Sequence, residues 1–104
     1  MIEKIWEILV PHNKNNGKTF SYEHHQIWDK KVYELAGGLT IQRVSKGKWL
    51  NNTGNIQSEG MIPVKICCVE EVFDEILEFT LKHYDQDEVL GYLISNRVKI
   101  LVKD

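Results

Sequence analysis

The 104 residues contain only two cysteines and two prolines. No apolar run approaches the roughly 18 residues that a bilayer-spanning helix requires, which excludes such a segment. Cys67 and Cys68 are adjacent, and neighbours on a strand point to opposite faces, so a mutual disulfide is not expected. No second cysteine pair is present to complete a zinc site. Charge of one sign is also scarce. Thirteen Lys+Arg stand against fifteen Asp+Glu, for a formal charge of −2. Such a balance excludes binding to nucleic acid through a clustered basic surface. The phosphate-cradling, dinucleotide, zinc-protease, hydrolase-elbow and EF-hand motifs are all missing, so no cofactor is expected. The opening Met1-Ile2-Glu3-Lys4-Ile5-Trp6-Glu7 breaks its apolar residues with charges, unlike a secretory leader. The expectation is a cytoplasmic protein with reduced thiols, no membrane partner and no nucleic-acid partner.

What is present is ordinary globular composition, with 42% hydrophobic and 27% charged residues. The length supports one core, read as a single α+β domain over residues 1–104. Ile5 to Val10 reads as a strand stopped by Pro11. Ser21 is a good N-cap for a helix through Ala36, whose Trp28, Val32, Leu35 and Ala36 share one stripe. Gly37-Gly38 ends it. Leu39 to Val44 reads as a strand and Ser45-Lys46-Gly47 as a turn. Lys48-Trp49-Leu50 begins a β-arm that returns through Ile56 to Glu59. Met61 to Cys68 is the next strand, with Pro63 requiring an edge or a bulge. Glu70 to about Tyr84 is the clearest helix, acidic in its first turn and basic in its last. Glu88 to Ile94 and Val98 to Val102 read as a closing hairpin.

The order predicts a ferredoxin-like β-α-β-β-α-β sandwich with an extra arm. Both helices are expected on one face of an antiparallel-rich sheet, with the strands flanking each helix as parallel neighbours. Strand alternation then leaves a mixed open face. Glu7, Thr40, Gln42, Lys65, Cys67 and Lys99 lie there among Ile5, Leu9 and Leu101. A face of this kind is either a homodimer interface with a ligand cleft or a plainly solvated sheet.

Tyr22-Glu23-His24-His25 is the most suggestive run for chemistry. It lies in the first helical turn, where the positive end of the dipole favours a neutral imidazole, able to act as a general base. The structural alternative is packing or capping, because no nucleophile stands beside the histidines. His83 is explained by the helix C-terminus, and Tyr84 by a buried ring with a hydrogen-bonded hydroxyl. Trp49 on the arm is either a pocket lid or a cover over the sheet end. Glu59 is either a buried carboxylate near it or a turn residue. Carboxylates after Cys68 disfavour a thiolate there, and no metal ligand set is seen.

Gly38-Leu39-Thr40, then Gly47-Lys48-Trp49, Gly54, Glu59 and Tyr84-x-Gln86-x-Glu88-Val89, resemble a small bacterial domain family of unknown function. The resemblance covers about residues 35–102, although Asp87 separates Gln86 from Glu88 and no export signal is present. It implies that Thr40, Trp49, Glu59 and Gln86 are signatures of the sandwich and its arm, and confers no mechanism.

Three functions fit this sequence. The leading one is a non-enzymatic homodimer that holds a small ligand or protein partner at its open face through Glu7, Thr40, Gln42, Trp49, Glu59, Lys65, Lys99 and Tyr84. The second is a small cofactor-free enzyme with His24 or His25 as base. The third is an interaction factor from a phage or mobile element.

Overall fold

The computed structural model runs β1 (Lys4–Pro11), α1 (Tyr22–Ala36), β2 (Thr40–Ile41), β3 (Ser45–Leu50), β4 (Ile56–Cys68), α2 (Glu70–His83) and β5 (Gly91–Ser95). It describes residues 2–50 and 52–104, and Trp49 by its backbone alone. The sheet order is β2-β4-β1-β5, with β3 also paired to β4, and every pairing is antiparallel. This is the ferredoxin-like α+β arrangement. The strands flanking each helix are therefore not neighbours, as the sequence reading had them. β4 lies between β1 and β2, and β1 lies between β4 and β5.

Local chemistry sets the elements. Ser21 caps α1 by accepting from the His24 amide, and Gly37 ends the helix with φ at 88°. Both helices pack on one side of the sheet. Trp28 and Val32 of α1, with Phe73, Ile76 and Thr80 of α2, cover Trp6, Ile8, Val10, Val64 and Ile66. The indole of Trp28 donates to Thr80 Oγ1 at 2.8 Å, and that hydroxyl donates to the Ile76 carbonyl at 2.6 Å. The largest buried ring therefore brings no orphaned polar atom into the core. Trp6 stacks on Phe73 at 4.8 Å and donates to the Cys68 carbonyl. Gly91 faces this layer, and a Cβ there would lie 2.7 Å from Phe73 Cζ and 2.8 Å from Leu77 Cδ2.

Three elements differ from the sequence reading. Ser45-Lys46-Gly47 is not a turn but the start of β3, paired with Met61, Gly60 and Glu59. The turn reading failed because polar residues are also what a two-stranded arm exposed on both faces carries. The ladder breaks instead at Gln42 to Val44, three residues facing Ile62 and Pro63. Pro63 accepts from the Gln42 amide. Its missing N–H therefore faces the same side, and the neighbouring strand bulges there. The second strand of the closing hairpin is also not formed. Residues 97–104 carry no regular structure, and Ile100, Leu101 and Val102 are exposed.

Candidate functional site

Sheet register brings four residues of the open face into one row. Thr40 pairs with Lys65, Lys65 with Glu7, and Glu7 with Tyr92. The Glu7 side chain, only 12% exposed, collects the row's polar groups. Gln42 Nε2 donates to Glu7 Oε1 at 2.9 Å, Lys65 Nζ lies 3.7 Å from the same oxygen, and the Tyr92 hydroxyl donates to Oε2. That hydrogen bond raises the phenol's affinity for its proton. Glu7, Thr40, Gln42 and Lys65 thus meet on one face as the alternation predicts. Tyr92 completes them and was missed, although its position two residues from Leu90 in an alternating strand carried the signal. Lys99 is not brought to the row. It lies in the irregular 97–104 segment and is exposed.

Next to this row, past Leu9, opens a cleft of about 1000 Å³. Leu9 and Pro11 of β1 line it, and so does the segment from Gln86 to Leu90, whose last carbonyl accepts from the Leu9 amide at 3.0 Å. The arm contributes Gly47, Lys48, Leu50, Gln57, Glu59 and Met61. Three acidic residues, Glu59, Asp87 and Glu88, and one lysine, Lys48, are among the lining residues. Glu59 is half-buried, and among the described residues no hydrogen bond or ion pair engages its carboxylate. A smaller polar recess of about 570 Å³ shares Asn15, Gln57, Glu59 and Gly60 with the cleft, so Glu59 stands between the two. Gly60 permits this junction, since a Cβ there would sit 2.8 Å from Asn13 Oδ1. Gly47, Lys48, Glu59, Gln86, Glu88 and Val89, scattered along the motif pattern, all line this one cleft. The backbone of Trp49 pairs with Gln57, while its role as a lid concerns a side chain outside the described residues.

His24 and His25 lie in neither cavity. They join the first turn of α1 to the last turn of α2. His24 and His83 stack at 3.9 Å, and each directs its Nε2 to the other's backbone carbonyl, at 2.7 and 2.8 Å. Phe20 stacks on the outer side of His24 and Phe79 on that of His83, with Lys14 and Lys31 over the two phenyl rings. His25 Nδ1 lies 2.7 Å from the hydroxyl of the fully buried Tyr84. Burial, then the charges of His12, His24 and His83, lower the His25 pKa, while burial and Asp29 push the Tyr84 phenol up. Tyr84 is thus a core residue rather than part of the open face. Burial also raises both thiols, Cys68 to about 11, which leaves neither as a thiolate.

No family model matches the chain, and no curated protein does. Solved structures share its fold. The chain is similar to CutA1 from Oryza sativa (15% identity, 94% of this chain and 83% of that one, TM-score 0.70). It is likewise similar to the periplasmic divalent cation tolerance protein CutA from Archaeoglobus fulgidus (16%, 98% and 89%, TM-score 0.68). A phage SAM lyase in complex with S-methyl-5′-thioadenosine matches equally well (13%, 90% and 81%, TM-score 0.68). At these identities the likeness is one of fold. The motif resemblance pointed to a family of unknown function, whereas the ferredoxin-like neighbours include a named one, the CutA proteins.

Proposed function

We propose that this chain is a small-ligand binding protein whose site is the cleft between the arm and the α2–β5 loop. The observation that carries the reading is the half-buried carboxylate of Glu59, without a partner among the described residues, in a cleft that Gln86, Asp87 and Glu88 also line. A surplus of acid beside the apolar Leu9, Leu50, Met61 and Leu90 suits a ligand with a flat apolar body and a positive charge. The sulfonium nucleoside S-adenosylmethionine has both features, whereas S-methyl-5′-thioadenosine, the uncharged thioether held by the phage protein, has the flat body alone. Isothermal titration with both compounds tests it. S-adenosylmethionine should bind more tightly than S-methyl-5′-thioadenosine, and Glu59→Gln should reduce that preference by about tenfold. Equal indifference of wild type and variant to both ligands overturns the reading.

The same carboxylate favours a second reading, an enzyme acting on that ligand, because an unengaged carboxylate in a cleft can accept a proton. Mass spectrometry of S-adenosylmethionine incubated with the protein distinguishes turnover from binding. The cation named for the CutA neighbours is not carried over. Among the described residues no three His, Cys, Asp or Glu side chains come together as a metal requires.

The protein works as a homodimer in this reading, within a single 104-residue domain. Its surface is 7576 Å², against about 6,000 Å² for a compact monomer of this mass. The excess comes with a long shape, 54 × 29 × 23 Å, and with apolar residues in the open. Leu50 and Ile56 on the arm are 69% and 72% exposed, and Leu101 beyond β5 is 99% exposed. A second copy laid on the arm would close the cleft. Sedimentation checks this, and a strict monomer at micromolar concentration counts against it. No helix among the described residues is long and apolar enough to cross a membrane. The adjacent free thiols favour a cytoplasmic location.

A further inference from the structure

All four histidines of the chain gather in one cluster that does not line the cleft. Two cleft-forming segments start from this cluster. The loop from His12 to Phe20 carries Asn15, and the loop after Tyr84 carries Gln86, Asp87 and Glu88. The link between cluster and cleft is a short series of hydrogen bonds. His25 Nδ1 meets the Tyr84 hydroxyl at 2.7 Å. The Tyr84 carbonyl accepts from Gln86 Nε2 at 2.9 Å. The next carbonyl, that of Asp85, accepts from Asn15 Nδ2 at 3.1 Å and so ties the two loops together. Asp85 holds φ at 51°, a left-handed conformation that a non-glycine residue keeps only where its surroundings impose it.

We propose that the His25–Tyr84 pair positions Gln86, Asp87 and Glu88 in the cleft, and that it does so only while His25 is neutral, so that the cleft loses its ligand on acidification. The inference rests on the cleft being the ligand site. His25 Nε2 is buried and has no hydrogen-bond partner among the described residues. A proton added to this half-buried ring therefore creates a partly desolvated cation whose buried Nε2–H is unanswered, a costly combination. The groups facing it give little compensation. From α1 they are His24 and, near the phenol, Asp29. From the end of α2 they are His83 and Tyr84, and from the β1–α1 loop His12, with Lys14 over the Phe20 ring. No histidine forms an ion pair with a carboxylate among the described residues. The cheapest escape is for the first turn of α1 to part from Tyr84, which frees the backbone that carries Gln86.

The test combines amide exchange with titration of S-methyl-5′-thioadenosine, each at about pH 7.5 and about pH 5.5. In the wild type, exchange of amides 85–90, relative to their intrinsic rates, should rise about tenfold at the lower pH while β4 amides stay protected, and affinity should fall by a similar factor. His25→Gln keeps a polar partner for the Tyr84 hydroxyl and should abolish both pH responses. If it does not fold, Tyr84→Phe keeps the ring and should abolish the exchange response. Unchanged protection of 85–90 in the wild type, or a pH response that survives in the variant, overturns the proposal. If neither S-methyl-5′-thioadenosine nor S-adenosylmethionine, titrated in parallel, binds at either pH, the cleft reading falls and the positioning role with it, whatever the exchange shows.

Discussion

The joint between the helices and the cleft beside the arm are built on opposite principles. At the joint, Trp28 with Thr80, Tyr84 with His25 Nδ1, and the stacked His24 with His83 pair their polar atoms, His25 Nε2 being left over. At the cleft, apolar Leu50 and Leu90 stay in the open, and Glu59 has no partner among the described residues. Stability is concentrated in the first region and unspent binding capacity in the second. Substitutions should separate the two, costing folding free energy at the joint and ligand or self-association at the cleft.

The sharpest contrast comes from Trp28→Ala. It removes a fully buried ring and leaves the Thr80 hydroxyl without its indole donor, so a loss of about 3–5 kcal/mol in urea unfolding is expected. Leu50→Ala on the arm should change monomer stability by less than about 0.5 kcal/mol. In sedimentation the same change should weaken dimerisation, while Trp28→Ala should act only through folding. Equal stability losses would erase the distinction between the regions.

Gly91→Ala is next in size. Its methyl would meet Phe73 and Leu77 at under 3 Å, and overpacking of this kind costs about 1–3 kcal/mol. Thermal unfolding of this variant reads whether α2 can shift away from β5. A neutral result would mean that the layer beside the cleft is looser than the layer beneath the joint.

The two regions were not equally legible in the sequence. The joint's helices follow from the Ser21 cap, the Trp28–Val32 stripe and the acidic-to-basic order of α2, all encoded within a few turns. Its histidine cluster was not, because His24 and His83 are 59 residues apart and no local pattern states which helix faces meet. The cleft shows the converse. Gly47, Glu59, Gln86 and Glu88 stood out as letters of a pattern, yet only the β3–β4 register and the α2–β5 loop bring them together. The strands flanking each helix were expected side by side because helix connection suggests adjacency. Interleaving β4 and β1 depends on long-range pairing that alternation alone does not specify. Beyond β5, Val98 to Val102 has a strand's alternation and no strand partner among the described residues.

Acidification tests the joint through its effect on stability. The pKa of His25 is lowered from its ordinary 6.5. As pH falls below about 6.5, the unfolded chain takes up a proton that the folded ring resists, so stability is full above that point and declines until the lower folded value is passed. Urea midpoints from about pH 7.5 to about pH 5 should record this decline, and His25→Gln should reduce it. A midpoint that rises on acidification would contradict the burial of a neutral imidazole.

The smallest expected effect lies on the open face, between the two regions. Lys65 is 43% exposed and stands 3.7 Å from Glu7 Oε1, a distance and exposure at which solvent screens most of the attraction. Lys65→Met should therefore move stability by less than about 0.5 kcal/mol. Glu7 loses little because Gln42 and Tyr92 still donate to its carboxylate. Glu7→Leu is the informative counterpart, since it orphans both donors at once and should cost more than the lysine does, though both partners keep access to water. A double-mutant cycle in urea separates the terms. If the Lys65–Glu7 coupling exceeds about 1 kcal/mol, the row is desolvated in solution, as it would be if a second copy covered the sheet as well as the arm.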